Sequence, residues 1–290
     1  MKTKYLLLST PIVYYLIKYF LYKLNLRLVF KNNVKRITYE KSQYKQFIKK
    51  IYNYNVYINN LKIRCDSDYL DAIYIKHMKK TDYITIYFHG NTGTIYDCLC
   101  KNEIQNILSY SNLFIYDYRG YGESTGSSDE ENINSDPLLI YIYVMKTLNY
   151  DPSKIIIYGN SLGGYIGSSL IVNINKNNLP IPKGLIMQSP FYSLSDICKD
   201  LYPWLVYLIQ FNFSNSENLK KIKNKLPIII LHSKKDEYIK YYHSQKLLAE
   251  NNRLNDENNN SVKLLEIDGF HDRIFYNNDT INNIKNILKF

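Results

Sequence analysis

A serine hydroxyl becomes a nucleophile when a base takes its proton, a third group orients that base, and the backbone holds the hydroxyl clear of its neighbours. The stretch from Lys154 to Gly164, KIIIYGNSLGG, supplies the last of these conditions. A β-branched run enters Gly159-x-Ser161-x-Gly163, and an apolar segment with helical spacing, Tyr165 to Ile174, leaves it. A strand-to-helix turn this tight has no room for flanking side chains, hence the glycines, and it aims the free N–H groups of the helix at the serine. Glycine makes up only 11 of the 290 residues, and nine of those lie between Gly90 and Gly167, so each marks a place where the backbone needs it.

Five histidines compete to be the base. His77 falls within an early strand, His89 precedes a Gly-Asn turn, His232 ends a strand, and His243 sits in a Tyr- and Lys-rich helix. His271 stands two residues past Gly269, just after a strand at Val262 to Ile267, in the loop where a chain of this kind delivers its base. The acid belongs after the preceding strand, Pro227 to His232, where Asp236 stands; Glu237 and Asp196 are the alternatives. The oxyanion formed on acyl transfer needs preorganised donors, each worth about 3 kcal/mol. The backbone N–H of Leu162 is one candidate. The second is the N–H of Asn91, in the turn His89-Gly-Asn-Thr-Gly93, although the Asn91 side chain has the alternative role of bracing that turn.

The elements that must position these groups are legible in outline. Asn55 to Ile63 and Tyr69 to Ile75 read as paired strands, and Tyr83 to Phe88 as a buried one. A helical stretch to about Leu108, a strand at Leu113 to Tyr118, and a helix from Asp136-Pro137 to Leu148 follow, with Asp136 as cap and Pro137 in the first turn. Beyond the Ser161 turn come a strand at Gly184 to Gln188, an aromatic-rich insert, the strand before Asp236, a helix, the strand before His271 and a closing helix. Residues 251–261 read as a polar surface loop. Such alternation predicts an α/β fold with a mainly parallel central sheet and helices on both faces.

Charge divides the chain. Of 37 basic and 26 acidic residues, the first fifty positions hold 12 and 1, leaving 25 of each in the remainder. A neutral body argues against a nucleic-acid-binding face. Tyr5 to Tyr22 is apolar apart from Lys18 and has basic flanks, which predicts a membrane-associating segment over residues 1–50, spanning or interfacial, ahead of a catalytic domain over 51–290. The more basic flank follows the segment and places the domain on the cytosolic side. The four cysteines lack paired spacing and a matching histidine cluster, so neither a metal nor a disulfide framework is expected, and the chemistry calls for no cofactor.

The ordered set HGNTG, DYRGYGES, GNSLGG, HSKKDE and GFHD resembles the α/β-hydrolase superfamily, and within it the membrane-anchored serine hydrolases that include the protein depalmitoylases. The likeness runs from about Asn55 to the C-terminus. It implies an α/β-hydrolase fold with a short cap insert, Ser161 as nucleophile, Asp236 as acid, His271 as base, and the Asn91 and Leu162 amides as oxyanion hole; DYRGYGES is chiefly structural in such enzymes. Ser233, where glycine is usual, and Arg273, where asparagine is often found, depart from the pattern. In the insert, Trp204, Tyr207 and Phe211 are candidate substrate-binding residues of an acyl pocket, or alternatively belong to a helix packed on the core. The expected activity is cleavage of a hydrophobic acyl ester or thioester. A serine peptidase and a catalytically inactive membrane-tethered scaffold are the other readings.

Overall fold

Five runs rich in Ile, Leu, Tyr and Phe have every residue buried: β3 (Ile84–Phe88), β4 (Asn112–Tyr116), β5 (Ile155–Asn160), β6 (Gly184–Gln188) and β7 (Ile228–Ser233). Strands apolar on both faces require cover on both, the condition of a parallel sheet. The computed structural model describes residues 15, 18–24, 29–30, 56–78, 81–222, 226–254 and 262–290. In it these strands join β1 (Val56–Cys65), β2 (Asp68–His77), β8 (Val262–Phe270) and β9 (Arg273–Phe275) in one sheet of order β1-β2-β4-β3-β5-β6-β7-β8-β9. From β4 to β8 every pairing is parallel; the β1–β2 hairpin and β9 add antiparallel edges.

Alternation along the strands feeds two cores. Ile86, Phe88, Ile157, Met187 and Ile230 point to one face, under α3 (Glu130–Lys146), α4 (Leu162–Lys176), α6 (Asn215–Lys221) and α7 (Tyr242–Leu254). Tyr87, Ile156, Tyr158, Ile186 and Ile229 point to the other, under α1 (Ile95–Leu99), α2 (Asn102–Leu108) and α8 (Asn278–Leu288). The insert between β6 and β7 holds α5 (Leu194–Leu201) and a 3₁₀ stretch, Pro203–Leu208.

Three expectations need correction. Helix α3 starts at Glu130, seven residues before Pro137: Asp129 caps it by accepting from the Asn132 N–H, and Glu130 and Glu131 complement the helix dipole. Pro137 lies inside the helix, where it forfeits one backbone hydrogen bond that burial against the core offsets. Asp136 is no cap either, because its carboxylate is taken by Arg119. Residues 251–254 continue α7 rather than forming a loop, and 255–261 lie outside the described residues. Finally, β8 runs on to Phe270 and pairs with β9, so His271 occupies a two-residue hairpin turn. Most of the apolar segment from Tyr5 to Tyr22, and most of the proposed 1–50 region, also lie outside the described residues.

Arg119 locks the antiparallel edge to α3. Its Nε and Nη2 donate to both Asp136 oxygens at 3.0 and 2.8 Å, and its remaining donors reach Asp68 at 3.3 Å and Asp66 at 3.2 Å on the β1–β2 hairpin. Arg119→Met would leave Asp136 buried and unpaired. Urea denaturation should show a loss of about 3–5 kcal/mol, with Arg119→Lys intermediate because an ammonium cannot reproduce the two-pronged contact.

Candidate active site

Ser161 is the hinge between β5 and α4, with φ 55° and ψ −113°, a conformation that a non-glycine residue adopts only when its surroundings impose it. They do so through backbone contact. A Cβ at Gly159 would lie 2.0 Å from the Gly163 carbonyl oxygen, and one at Gly163 would lie 2.0 Å from that of Phe88 at the end of β3. The Ser161 N–H donates to Gln188 O on β6 at 2.9 Å, and the Ser161 carbonyl accepts from the Gly164 N–H at 2.9 Å. The side chain is half-buried at the carboxyl edge of the parallel strands, where ligands of such sheets bind.

Asp236 and His271 reach the same edge from β7 and β8. His271 Nδ1 lies 2.8 Å from Asp236 Oδ2. The other carboxylate oxygen accepts the N–H groups of Tyr238 and Ile239 at 3.0 and 2.8 Å. Burial alone would push the Asp236 carboxyl up, but hydrogen bonds from His232, His271 and the Ile239 N–H outweigh it and hold the group well below the usual carboxylate range. Glu237 accepts the backbone N–H of His271 at 3.1 Å, and the Tyr238 ring meets the imidazole edge-on at 5.5 Å. Glu237 therefore holds the His271 main chain rather than its ring, and Ser193 caps α5 by accepting the Asp196 N–H while the Asp196 carboxylate accepts the Ser193 hydroxyl, so neither alternative acid pairs with His271. Among the described residues no hydrogen bond joins the Ser161 hydroxyl to His271 Nε2, a contact that often closes only when substrate arrives.

Two residues that the sequence reading gave no catalytic place support this couple. Ser233, the departure from the usual glycine, donates to Gly269 O at 2.5 Å and accepts from the Lys235 N–H at 3.0 Å, tying the acid loop to the strand that leads to His271. His232 is fully buried with Nε2 2.8 Å from Ile239 O and 3.3 Å from Asp236 Oδ2, while Nδ1 contacts Ser244 Oγ at 2.6 Å. A carbonyl can only accept, so Nε2 carries the proton and presents it beside the carboxylate. No sequence spacing announces this pairing; the four-residue interval from His232 to Asp236 was its only trace.

The Gly90 turn lies against the serine, since a Cβ there would sit 3.7 Å from Ser161 Cβ. His89 Nδ1 donates to the Gly90 carbonyl at 2.6 Å. The Gly90–Asn91 peptide is trans, so fixing its carbonyl turns the Asn91 N–H to the opposite side. The hydroxyls of Tyr118 and Tyr121 hold the flanking carbonyls of His89 and Asn91 at 2.6 and 3.1 Å. Burial pushes His89 down to about 4, leaving a neutral ring stacked on Tyr118 at 4.1 Å with Nε2 3.5 Å from Asp117. Among the described residues no backbone carbonyl takes the N–H of Asn91 or of Leu162. The Asn91 side chain does brace the chain, donating to Val29 O at 3.4 Å.

The three substrate-binding candidates of the insert differ in exposure. Trp204 and Tyr207 are 67% and 89% exposed on the 3₁₀ stretch. Phe211 is buried, stacked on Phe213 at 5.3 Å, and Phe213 stacks on Tyr165 at 4.5 Å. His243 also has a structural place, accepting the Tyr192 N–H and meeting Asp200 at 3.3 Å. Among the described residues no group of three or more His, Cys, Asp or Glu side chains is placed to hold a metal, and the four cysteines are unpaired.

A family profile described as steryl acetyl hydrolase matches residues 1–201, a span that includes the Gly90 turn and Ser161 and ends before Asp236 and His271. The uncharacterized protein R595 of Acanthamoeba polyphaga mimivirus is 37% identical over 63% of this chain and 65% of its own length. Lysophosphatidylserine lipase ABHD12 of Danio rerio is 26% identical over 73% of this chain and 59% of its own. The chain thus spans less than two thirds of the length of these curated relatives. An α/β hydrolase from Vibrio vulnificus superposes with a TM-score of 0.68 at 19% identity, covering 91% of this chain and 89% of that one, which establishes the shared fold. With a matching profile over more than half its length and an α/β-hydrolase sheet beneath the Ser161 turn, this chain belongs to the steryl acetyl hydrolase family.

Proposed function

We propose that the protein is a serine hydrolase that cleaves hydrophobic acyl esters or thioesters through an acyl-Ser161 intermediate. The observation that carries this reading is the Asp236–His271 couple at 2.8 Å, on the same sheet edge as a serine held at positive φ against the Gly90 turn. The family's description, and the words lipase and esterase in the names of relatives and structural neighbours, point in the same direction.

In the proposed reaction His271 Nε2 takes the Ser161 proton as Oγ attacks the carbonyl carbon. The Asp236 carboxylate, kept ionised by its donors, stabilises the imidazolium through Nδ1. The N–H groups of Leu162 and Asn91 receive the oxyanion. Collapse expels the alcohol or thiol with the proton from His271, and water repeats the sequence to free the acid and restore Ser161. The basic N-terminal segment would bring the enzyme to an anionic membrane. Tyr15, Tyr19 and Phe20 are exposed on this segment, which suits contact with a membrane surface.

Three measurements test these readings. A fluorophosphonate probe should label wild type and not Ser161→Ala; hydrolysis of p-nitrophenyl esters should fall with it, and Asp236→Asn should lower kcat about 10⁴-fold. Failure of wild type to label would remove the enzyme reading and favour a scaffold, whereas turnover of a peptide-amide panel in preference to esters would favour a peptidase. Tyr121→Phe frees the Asn91 carbonyl and should lower kcat about tenfold with KM little changed, since the oxyanion forms only in the transition state. Co-sedimentation with phosphatidylserine vesicles should exceed that with phosphatidylcholine alone and weaken at about 0.5 M salt; equal recovery with both would sink the membrane assignment.

A further inference from the structure

His89 and Asp117 follow β3 and β4, which are neighbours in the sheet, and their side chains face one another with no exposure to solvent. Each carries a buried atom without a hydrogen-bond partner among the described residues: Nε2 of the imidazole and Oδ2 of the carboxyl. Nε2 lies 3.5 Å from the other carboxyl oxygen, Oδ1, which accepts the Ile95 N–H at 2.9 Å. Oδ2 is pressed against the backbone of Gly122, where a Cβ would fall 2.0 Å from it. Two polar groups are thus enclosed together, and each lacks what the other would supply if one more proton were present.

The Gly90 carbonyl can only accept, so His89 Nδ1 carries a proton and donates it there. An ionised Asp117 beside that neutral ring would set lone pair against lone pair, two buried acceptors with no donor. A proton on Nε2 would make a buried ion pair, with two charges to desolvate; a proton on the carboxyl makes a neutral acid that donates to Nε2. Desolvation favours the second. It lowers His89 to about 4 against the opposing pull of the Gly90 hydrogen bond. It also raises the Asp117 carboxyl well above the usual carboxylate range; the Ile95 N–H opposes this, and the charges of Asp71, Asp97 and Glu123 reinforce it.

We propose that Asp117 is a neutral carboxylic acid in the folded protein and a positioning residue for the oxyanion turn, donating its proton to His89 Nε2 so that the ring keeps Nδ1–H on the Gly90 carbonyl. A small turn of the carboxyl about χ2 closes the 3.5 Å gap to a hydrogen bond. The path to the chemistry is short: Asp117 holds the ring, the ring holds the Gly90 carbonyl, and that peptide plane directs the Asn91 N–H. Two Asp–His pairs then serve Ser161 in opposite charge states. Asp236 collects two backbone N–H groups and stays ionised beside a ring that must take up a proton. Asp117 has one such donor and stays protonated beside a ring that must keep its charge unchanged. The positioning role rests on the serine-hydrolase reading and goes further by naming the group that fixes an oxyanion donor; the protonation state is independent of it.

The test uses the full chain. The infrared difference spectrum of wild type minus Asp117→Asn at pH 7 should contain a carboxylic-acid carbonyl band that wild type alone contributes. Carboxylate bands in its place would overturn the protonation state, whatever the enzyme does. In p-nitrophenyl ester hydrolysis Asp117→Ala should lower kcat about tenfold with KM little changed, the pattern of a transition-state donor turned out of line. Asp117→Asn, whose amide can still donate to Nε2, should recover most of that loss. An Asn variant no better than Ala, or an Ala variant with the kcat of wild type, would overturn the positioning role. Thermal unfolding and fluorophosphonate labelling of Ser161 show whether each variant is folded. If Asp117→Ala does not fold, a tenfold fall in kcat for Asp117→Asn would by itself count against the proposal. Absence of labelling in wild type would remove the serine-hydrolase reading and the positioning role with it, while the infrared band still decides whether Asp117 is protonated.

Discussion

Three backbone segments touching without side chains between them set the geometry on which everything else depends. The end of β3, the end of β5 and the start of α4 meet at Phe88, Gly159 and Gly163, where a single added carbon would fall 2.0 Å from a carbonyl oxygen. Contact that close fixes the Ser161 hinge at a φ that serine would not choose alone, and the core strands on either side absorb the cost. It also brings the Gly90 turn into contact with Ser161. The Ser161 hydroxyl and the Gly90 turn are thus positioned by steric exclusion, a constraint that neither salt nor pH relaxes.

The remaining half of the site is held by a different kind of force. Asp236 collects two backbone N–H groups and approaches two imidazoles, and its charge is what orients His271. A buried carboxylate without such donors would take up a proton and lose its hold on the His271 ring. His232 therefore does more than fill space beneath the acid loop: its Nε2 proton, committed by the Ile239 carbonyl, is one of the contacts that keep Asp236 ionised. Ser233 adds a neutral tie between the two loops that glycine at that position could not make.

How much of this was legible in the sequence follows from the range of the interactions. The continuous apolar strands and the glycine pattern at 159–163 carry their own explanation, since period, length and lack of a side chain are local properties. The positions of Asp236 and His271 at strand ends were readable for the same reason. The start of α3 was misplaced because Asp136-Pro137 looks like a helix entrance, and only the Arg119 contact, with a residue 17 positions earlier, reveals that Asp136 is engaged elsewhere. The insert was illegible in another way: an aromatic run with no clear period does not say which rings turn inward, and Trp204 and Tyr207 are exposed while Phe211 and Phe213 are buried. The roles of Tyr118 and Tyr121 needed the fold, because the carbonyls they hold lie 29 and 30 residues away in the chain.

The two halves also differ in how they tolerate change, and this explains why the DYRGYGES loop carries so many polar contacts although none of its side chains meets the Asp236–His271 couple. The turn from His89 to Gly93 carries two glycines and so has little rigidity of its own. A loop with that freedom would average the direction of the Asn91 N–H, and in the proposed reaction a donor averaged over directions would stabilise an oxyanion poorly. Stiffness has to come from outside. Tyr118 and Tyr121 hold the carbonyls on either side, His89 holds the one between them, and Arg119 ties the loop that bears both tyrosines to α3 and to the β1–β2 hairpin. A charge cluster at the sheet edge and a donor beside Ser161 are thus successive links in one load path, running from buried ion pair to tyrosine hydroxyl to peptide plane.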